Sequence, residues 1–246
     1  MNTPFPHYGE TMAILAAVIF SWTSVFFTTA GRRLGVTTVN LLRLPSGALC
    51  LALSHLVITG RIWPEGLLWN QQMWIGLSGV VGLAIGDSAL FESFTRIGPR
   101  RSMAVMALSP VFTVILAWSM LGEELGLWAL TGIAVVIGGV VLASIGRAKG
   151  QGTFGTIAPR VLRGGLLLAL VASAGQGLGS AFAKLGMAGT GGGVDPLAAT
   201  LVRMVWAAVA YWLIILPRQD LRGLAGRLKD RRGVGALAVA ILMGPF

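Results

Sequence analysis

The sequence predicts an all-α fold: a polytopic membrane helix bundle with seven complete spans and a partial eighth, arranged as inverted five-helix repeats. Three observations predict it. Of 246 residues, 55% are hydrophobic and only 11% charged, against about 25% charged in a soluble domain, and mean hydropathy is +0.79. So much apolar surface cannot be hidden in one water-soluble core, and lipid is the solvent that suits it. Apolar runs also recur at the length a bilayer requires, separated by short loops rich in Gly, Pro and Arg. Finally, the chain echoes itself.

A spanning helix needs about 20 mostly apolar residues. Met12–Ala30 is the first run. Residues 1–11 carry no Lys or Arg, which argues for a retained helix over a cleaved secretory signal. Val39–Thr59, Met73–Phe94, Ser102–Leu121 and Leu125–Ile145 come next, then Leu162–Leu185 and Leu197–Leu216. An eighth run opens at Val234 and reaches Phe246, too short to cross at 1.5 Å per residue. The stretch around Lys149-Gly150-Gln151-Gly152-Thr153 is the expected boundary. It divides the chain into a first five-span unit (1–146), a linker (147–161) and a second unit (162–246) that ends within its third span.

The echo supports that division. Arg33-Leu34-Gly35-Val36 after span one resembles Lys184-Leu185-Gly186-Met187 after span six. Arg43 early in span two matches Arg203 early in span seven, and Gly86 in span three matches Gly244. An odd number of spans per unit forces the second copy to be inverted, a recurring transporter design with its site between the copies near the midplane. By that symmetry roughly 60 further residues are expected to follow Gly244.

Charge is distributed unevenly. The net charge is +10, but it sits between apolar runs, where anionic headgroups are its natural partners. No basic helix or aromatic stacking platform accompanies it, so no nucleic-acid partner is expected. Arg32 and Arg33, Arg96, Arg100 and Arg101, the run from Arg147 to Arg163 and the run from Arg218 to Arg232 fall on one side, against Arg61 on the other. The positive-inside rule therefore puts the N-terminus outside. The single cysteine, Cys50, permits no internal disulfide. Two histidines, His7 and His55, leave little material for a histidine-built metal site, and no cofactor is expected.

Three patterns inside the spans carry the functional expectations. Small residues form stripes: Gly76, Gly79, Gly82 and Gly86 in span three; Gly175, Gly179, Ala183 and Gly186 in span six; Gly132, Gly139, Ala143 and Gly146 in span five. Such stripes let backbones approach closely where lipid gives no hydrophobic drive; tight packing explains them, and sliding surfaces between two access states would need them too. Prolines come next. Pro45 cannot donate to the Leu41 carbonyl, nor Pro110 to that of Met106, so each bends its helix and frees a carbonyl. The freed groups suit a polar cavity, or a static kink filled by Ser46 or Ser109. Charges are the sharpest signal, because an Arg or Asp at a helix centre costs about 2.5–3.5 kcal/mol on insertion scales. Arg43, Asp87 and Arg203 are candidates for a substrate site. Arg43 and Arg203 could snorkel, or each could aim a cation at a cavity that attracts carboxylate-bearing substrates. Asp87, beside the glycine stripe, could lock Arg43 or take up a proton. Glu92 lies nearer a helix end and is expected to snorkel. Gln176 in span six and Trp22 in span one are milder candidates, Trp22 being equally at home in helix packing.

Gly86-Asp87-Ser88-Ala89-Leu90-Phe91, then Ser109-Pro110-Val111-Phe112, then Leu121-Gly122-Glu123, then Gly132 and Gly138-Gly139 resemble the EamA-type repeat of the drug/metabolite transporter superfamily. The mid-span proline followed about a dozen residues later by Gly-Glu is the most specific mark, and makes Pro45, Gly86, Ser109, Pro110, Gly122 and Glu123 the structural motif. The likeness covers residues 12–146 well and 162–246 more loosely. It implies ten spans in two inverted repeats, both ends in the cytoplasm (opposite to the charge count) and residence in a bacterial cytoplasmic (inner) membrane. It also implies transport of metabolites, amino acids or drugs, with proton or counter-substrate coupling. The expected function is thus a secondary transporter, with export as the expected direction. The competing reading is a non-transporting receptor or assembly scaffold, which would need no charge at membrane depth. Enzyme motifs fail: Ile85-Gly86-Asp87 is preceded by Ala84, not the Gly of an intramembrane aspartyl protease, and neither His-Glu-x-x-His nor a phosphate loop occurs.

Overall fold

The computed structural model describes residues 8–121, 126–145, 158–188, 193–215 and 221–243. Helices dominate them. α1 (Tyr8–Leu34) and α2 (Val36–Thr59) turn on one residue, Gly35, whose φ of 83° lies where L side chains are disfavoured. α2 runs through Pro45 and stops at Gly60, which donates to the Leu56 carbonyl from a left-handed conformation.

The third span is continuous from Trp69 to Ile97 but not uniform. α3 (Trp69–Gly79) passes into a π-helical stretch, Val80–Gly86, before α4 (Asp87–Ile97) resumes ordinary geometry. Gly98 (φ 86°) ends α4, and Pro99 opens α5 (Pro99–Met106) at a position needing no N–H donor. The chain then breaks at Ala107–Leu108 before α6 (Ser109–Leu121) and α7 (Leu127–Ile145). α8 (Pro159–Met187) begins at a second N-terminal proline. α9 (Pro196–Ile215) is capped by Asp195, whose carboxylate accepts from Leu197 and Ala198 N–H. α10 (Leu221–Arg227) and α11 (Arg231–Met243) complete the described chain.

Five described helical segments are long and apolar enough to cross a membrane: Ile14–Leu34, Val36–Thr59, Trp69–Ile97, Pro159–Met187 and Pro196–Ile215. The expected span at Ser102–Leu121 is instead two helices. Pro110 removes a ladder donor, and the bend expected there is a full break. In α7 the apolar stretch is Leu130–Leu142.

The segment Trp69–Ile97 packs against α8 along its length and against α9 over its first half, while α2 packs on α9 and α1 on α11. Two glycine stripes meet here, at the close backbone approach that small residues allow. A Cβ on Gly175 would stand 3.0 Å from the Gly86 Cα, and one on Gly179 3.0 Å from the Gly82 Cα. Gly79 faces α9 instead, where a Cβ would collide with the Arg203 backbone carbonyl. In the third expected stripe Gly132 and Gly139 have nothing within 4 Å, and Gly146 lies outside the described residues. Phe27, Leu34, Phe91, Phe94 and Leu237 join α1, α4 and α11 in one buried cluster, and Leu41, Leu44, Leu201 and Met204 join α2 to α9 in another.

Candidate functional site

Arg43, Asp87 and Gln176, widely separated in sequence, meet inside the bundle. Arg43 Nη2 donates to Asp87 Oδ2 at 2.6 Å, and Gln176 Nε2 donates to Asp87 Oδ1 at 2.7 Å. Each carboxylate oxygen thus has a donor, one from α2 and one from α8. The ion pair is closed off, with side-chain exposures of 6% for Arg43 and 7% for Asp87. The guanidinium also lies over two aromatic faces, 5.0 Å from the Phe91 centroid and 5.7 Å from that of Phe27. Those rings stack at 4.5 Å. Their negative faces hold the cation without adding another carboxylate.

The π-helical stretch explains how Asp87 reaches this place. It widens the backbone one turn before the carboxylate, where Gly82 and Gly86 press on α8. π-turns recur at functional sites because they re-aim the side chains of the next helical turn. A second layer completes the cluster. Asn40, one turn before Arg43, donates to Ser88 Oγ at 2.9 Å, and Ser88 in turn donates to the Ala84 carbonyl. The Tyr211 side chain from α9 lies beside Ser88, Asn40 and Thr37.

Arg203 is the remaining cation. Its backbone carbonyl rests on Gly79, its Nη2 reaches toward Gly82, and its charge feels that of Asp87. Three buried polar atoms among the described residues have no partner: Asn40 Oδ1, Arg43 Nε and Arg203 Nε. The cluster therefore holds two guanidinium groups against one carboxylate.

Both carbonyls freed by proline are satisfied from other helices. Trp212 Nε1 of α9 donates to Leu41 O at 3.0 Å, and Ser173 Oγ of α8 donates to Met106 O at 3.5 Å. Neither Ser46 nor Ser109 fills the role. Snorkelling, one reading of Arg43, does not occur: its side chain is buried against Asp87. Glu92, near a helix end, pairs with Arg96 at 2.9 Å with partial exposure. Trp22 stays apart, 60% exposed on α1. Pro45 and Ser109 are half-buried, Pro110 is exposed and Gly86 is buried, while Gly122 and Glu123 lie outside the described residues.

Sequence reasoning missed Asn40, Ser88 and Tyr211, although Asn40 and Tyr211 are polar residues facing the same interior as Arg43 and Arg203. It also missed Trp212 and Ser173 as donors. A cavity of about 280 Å³ lies elsewhere, at the end of the bundle away from the basic loops, lined by His55, Thr59, Arg61, Glu65, Gln71 and Asp195 among others. Its polar groups are engaged: His55 Nδ1 lies 2.7 Å from Arg61 O, Arg61 pairs with Glu65 at 2.6 Å, and Asp195 caps α9.

A family model described as the EamA-like transporter family matches residues 7–145. No curated protein matches the chain.

Proposed function

The chain belongs to the EamA-like transporter family, and on that premise we propose that this membrane protein is a secondary transporter, working as an exporter of small organic metabolites, amino acids or drugs by alternating access. One observation carries the proposal: Asp87 is held at once by Arg43 of α2 and Gln176 of α8. A charge pair buried at membrane depth is costly, and a scaffold has no use for one. A carrier does, because a bond between two moving parts that is made in one state and broken in another can gate a path.

The packing supports two inverted copies, residues 1–146 and 162–246. If α1, α2 and α3–α4 correspond to α8, α9 and α11, the contact of α1 with α11 mirrors that of α3–α4 with α8, and α2 on α9 lies across the axis. Arg43 and Arg203 then occupy equivalent places. In this reading the seven complete spans and partial eighth comprise α1, α2, α3–α4, α5–α6, α7, α8, α9 and α11. The closed cluster is the occluded arrangement. A proton on Asp87, or a counter-substrate competing for Gln176, would loosen the bond to α8 and let the copies rock apart.

Reconstitution tests this. Proteoliposomes containing the protein are expected to move at least one compound from a broad panel of labelled metabolites, and Asp87→Asn is expected to abolish that flux. Folded protein that moves none of them overturns the proposal. So does full activity after Arg43→Gln, Asp87→Asn and Arg203→Gln made singly.

A further inference from the structure

We infer that the cavity at the end of the bundle away from the basic loops binds a small primary ammonium ion, with His55 Nε2 and the Asp195 carboxylate as its acceptors. This site is separate from the Arg43–Asp87–Gln176 cluster and stands without the transporter reading.

The buried histidine comes first. His55, near the end of α2, is only 5% exposed. Its Nδ1 lies 2.7 Å from the Arg61 carbonyl oxygen, which can only accept. The Thr59 hydroxyl, 3.1 Å from the same nitrogen, spends its one proton on the His55 carbonyl. Nδ1 therefore carries the ring proton, and in the neutral imidazole Nε2 keeps the lone pair. Nε2 has no hydrogen-bond partner among the described residues, yet it is not one of their sealed unpartnered atoms, so it meets open space. The open space that this ring lines is the cavity of about 280 Å³. A buried acceptor without a donor is costly, and a ligand that brings an N–H relieves the cost.

The charges on the wall select the ligand. Arg61 is compensated by Glu65 at 2.6 Å. Asp195 uses Oδ2 for both cap bonds, from Leu197 and Ala198 N–H, and leaves Oδ1 unengaged among the described residues. The α9 N-terminus offsets about half of its charge, so the wall remains negative. An anion would meet a carboxylate and a ring lone pair, neither of which can donate. A quaternary cation answers the charge but offers Nε2 no hydrogen. A primary ammonium answers both, with one N–H for Nε2, another for Oδ1 and the positive charge for Asp195. Leu67, Val194 and Ala198 supply an apolar wall for its carbon chain. The volume lies just under the usual range of about 300–1,000 Å³ for ligand pockets, which suits a short-chain amine.

Isothermal titration of the whole chain in detergent tests this, at about pH 8, where an alkylamine is still charged. The probes are n-butylammonium, tetramethylammonium, butyrate and butan-1-ol. The expected result is saturable binding of n-butylammonium alone, in the micromolar to millimolar range that so small a ligand allows. Two variants are built to keep the fold. Asp195→Asn retains a capping oxygen for α9 while losing the charge, and His55→Asn retains an N–H for the Arg61 carbonyl while losing Nε2. Each should weaken n-butylammonium by about ten- to hundredfold, the loss of one hydrogen bond to a charged group, with thermal unfolding little changed. Binding of n-butylammonium that survives both substitutions overturns the inference. So does equal binding of any of the other three probes, or no saturable binding by the folded unaltered chain. If a variant fails to fold, the four probes on the unaltered chain decide. Because the readout is binding and not flux, any of these failures leaves the carrier reading untouched.

Discussion

Replacing Asp87 by Asn removes the carboxylate that Arg43 touches and leaves the guanidinium buried. At 2.6 Å and an effective dielectric of about 20, the pair attracts by roughly 6 kcal/mol. Dehydrating both ions consumes much of that, yet removing one partner alone still costs about 3–5 kcal/mol, because the other is left uncompensated. The two aromatic rings over Arg43 soften this cost and favour the lower end. In a chain of this size each kcal/mol shifts Tm by about 2–4 °C, so Asp87→Asn and Arg43→Gln should each lower Tm by roughly 6–20 °C. The double variant Arg43→Gln with Asp87→Asn leaves no stranded charge. It should lose less than the sum of the single changes, by about 1–3 kcal/mol. Intrinsic tryptophan fluorescence during heating in detergent reads all four proteins. A single-variant shift below about 2 °C, or strict additivity in the cycle, would refute the reasoning.

Trp212→Phe should cost about 1–3 kcal/mol, since the Leu41 carbonyl freed by Pro45 loses its donor; adding Pro45→Ala, which restores a backbone N–H, should recover part of that loss in the same thermal assay. Gly79→Ala should destabilise by about 1–3 kcal/mol through collision with the Arg203 backbone, whereas Gly132→Ala, facing open space, should leave Tm unchanged or raise it slightly. Asp230 lies outside the spans and caps α11. The hydrogen bond from Arg33, then that from Gly233 N–H, holds its carboxyl below the usual range. A depressed carboxyl pKa adds stability that is complete above its unfolded value and fades as pH falls through the folded one. The opening free energy of α11 amides, taken from hydrogen exchange after correction for the intrinsic pH-dependent rate, should therefore be flat from neutral pH down to about pH 4 and fall below it, and Asp230→Asn should remove that acid-dependent fall.

Much of this was legible in the sequence because the signals were strong and local. Apolar runs of bilayer length placed α1, α2, α8 and α9 to within about four residues at each end, and the glycine spacing marked faces of close backbone approach without saying which would meet. The charges at membrane depth pointed at Arg43 and Asp87 because no lipid-facing position tolerates them cheaply. What escaped was set by tertiary contact. A proline signals a lost donor but not which neighbour replaces it, so Trp212 and Ser173 were invisible until α8 and α9 were in place. The π-turn at Val80–Gly86 leaves no mark in composition; glycines there read equally as packing. The break at Ala107–Leu108 was underestimated for a related reason, since Pro110 fixes the loss of one ladder bond and the surroundings decide between a bend and a gap. Asn40 and Tyr211 were passed over because neutral polar side chains in apolar runs stand out less than charges, although here they occupy the same interior.

If the buried cluster borders a water-filled path that opens in turn to each side, a thiol beside it should meet water. Cys50 is the single native cysteine, so Ser88→Cys on a Cys50→Ser background places one thiol next to Asp87 while leaving Arg43, Asp87 and Gln176 intact. A membrane-impermeant thiol reagent added to sealed vesicles should label that cysteine, and transported substrate should change the labelling rate. A cysteine that reacts promptly after denaturation but from neither side of the intact membrane, with or without substrate, would contradict a carrier built around this cluster.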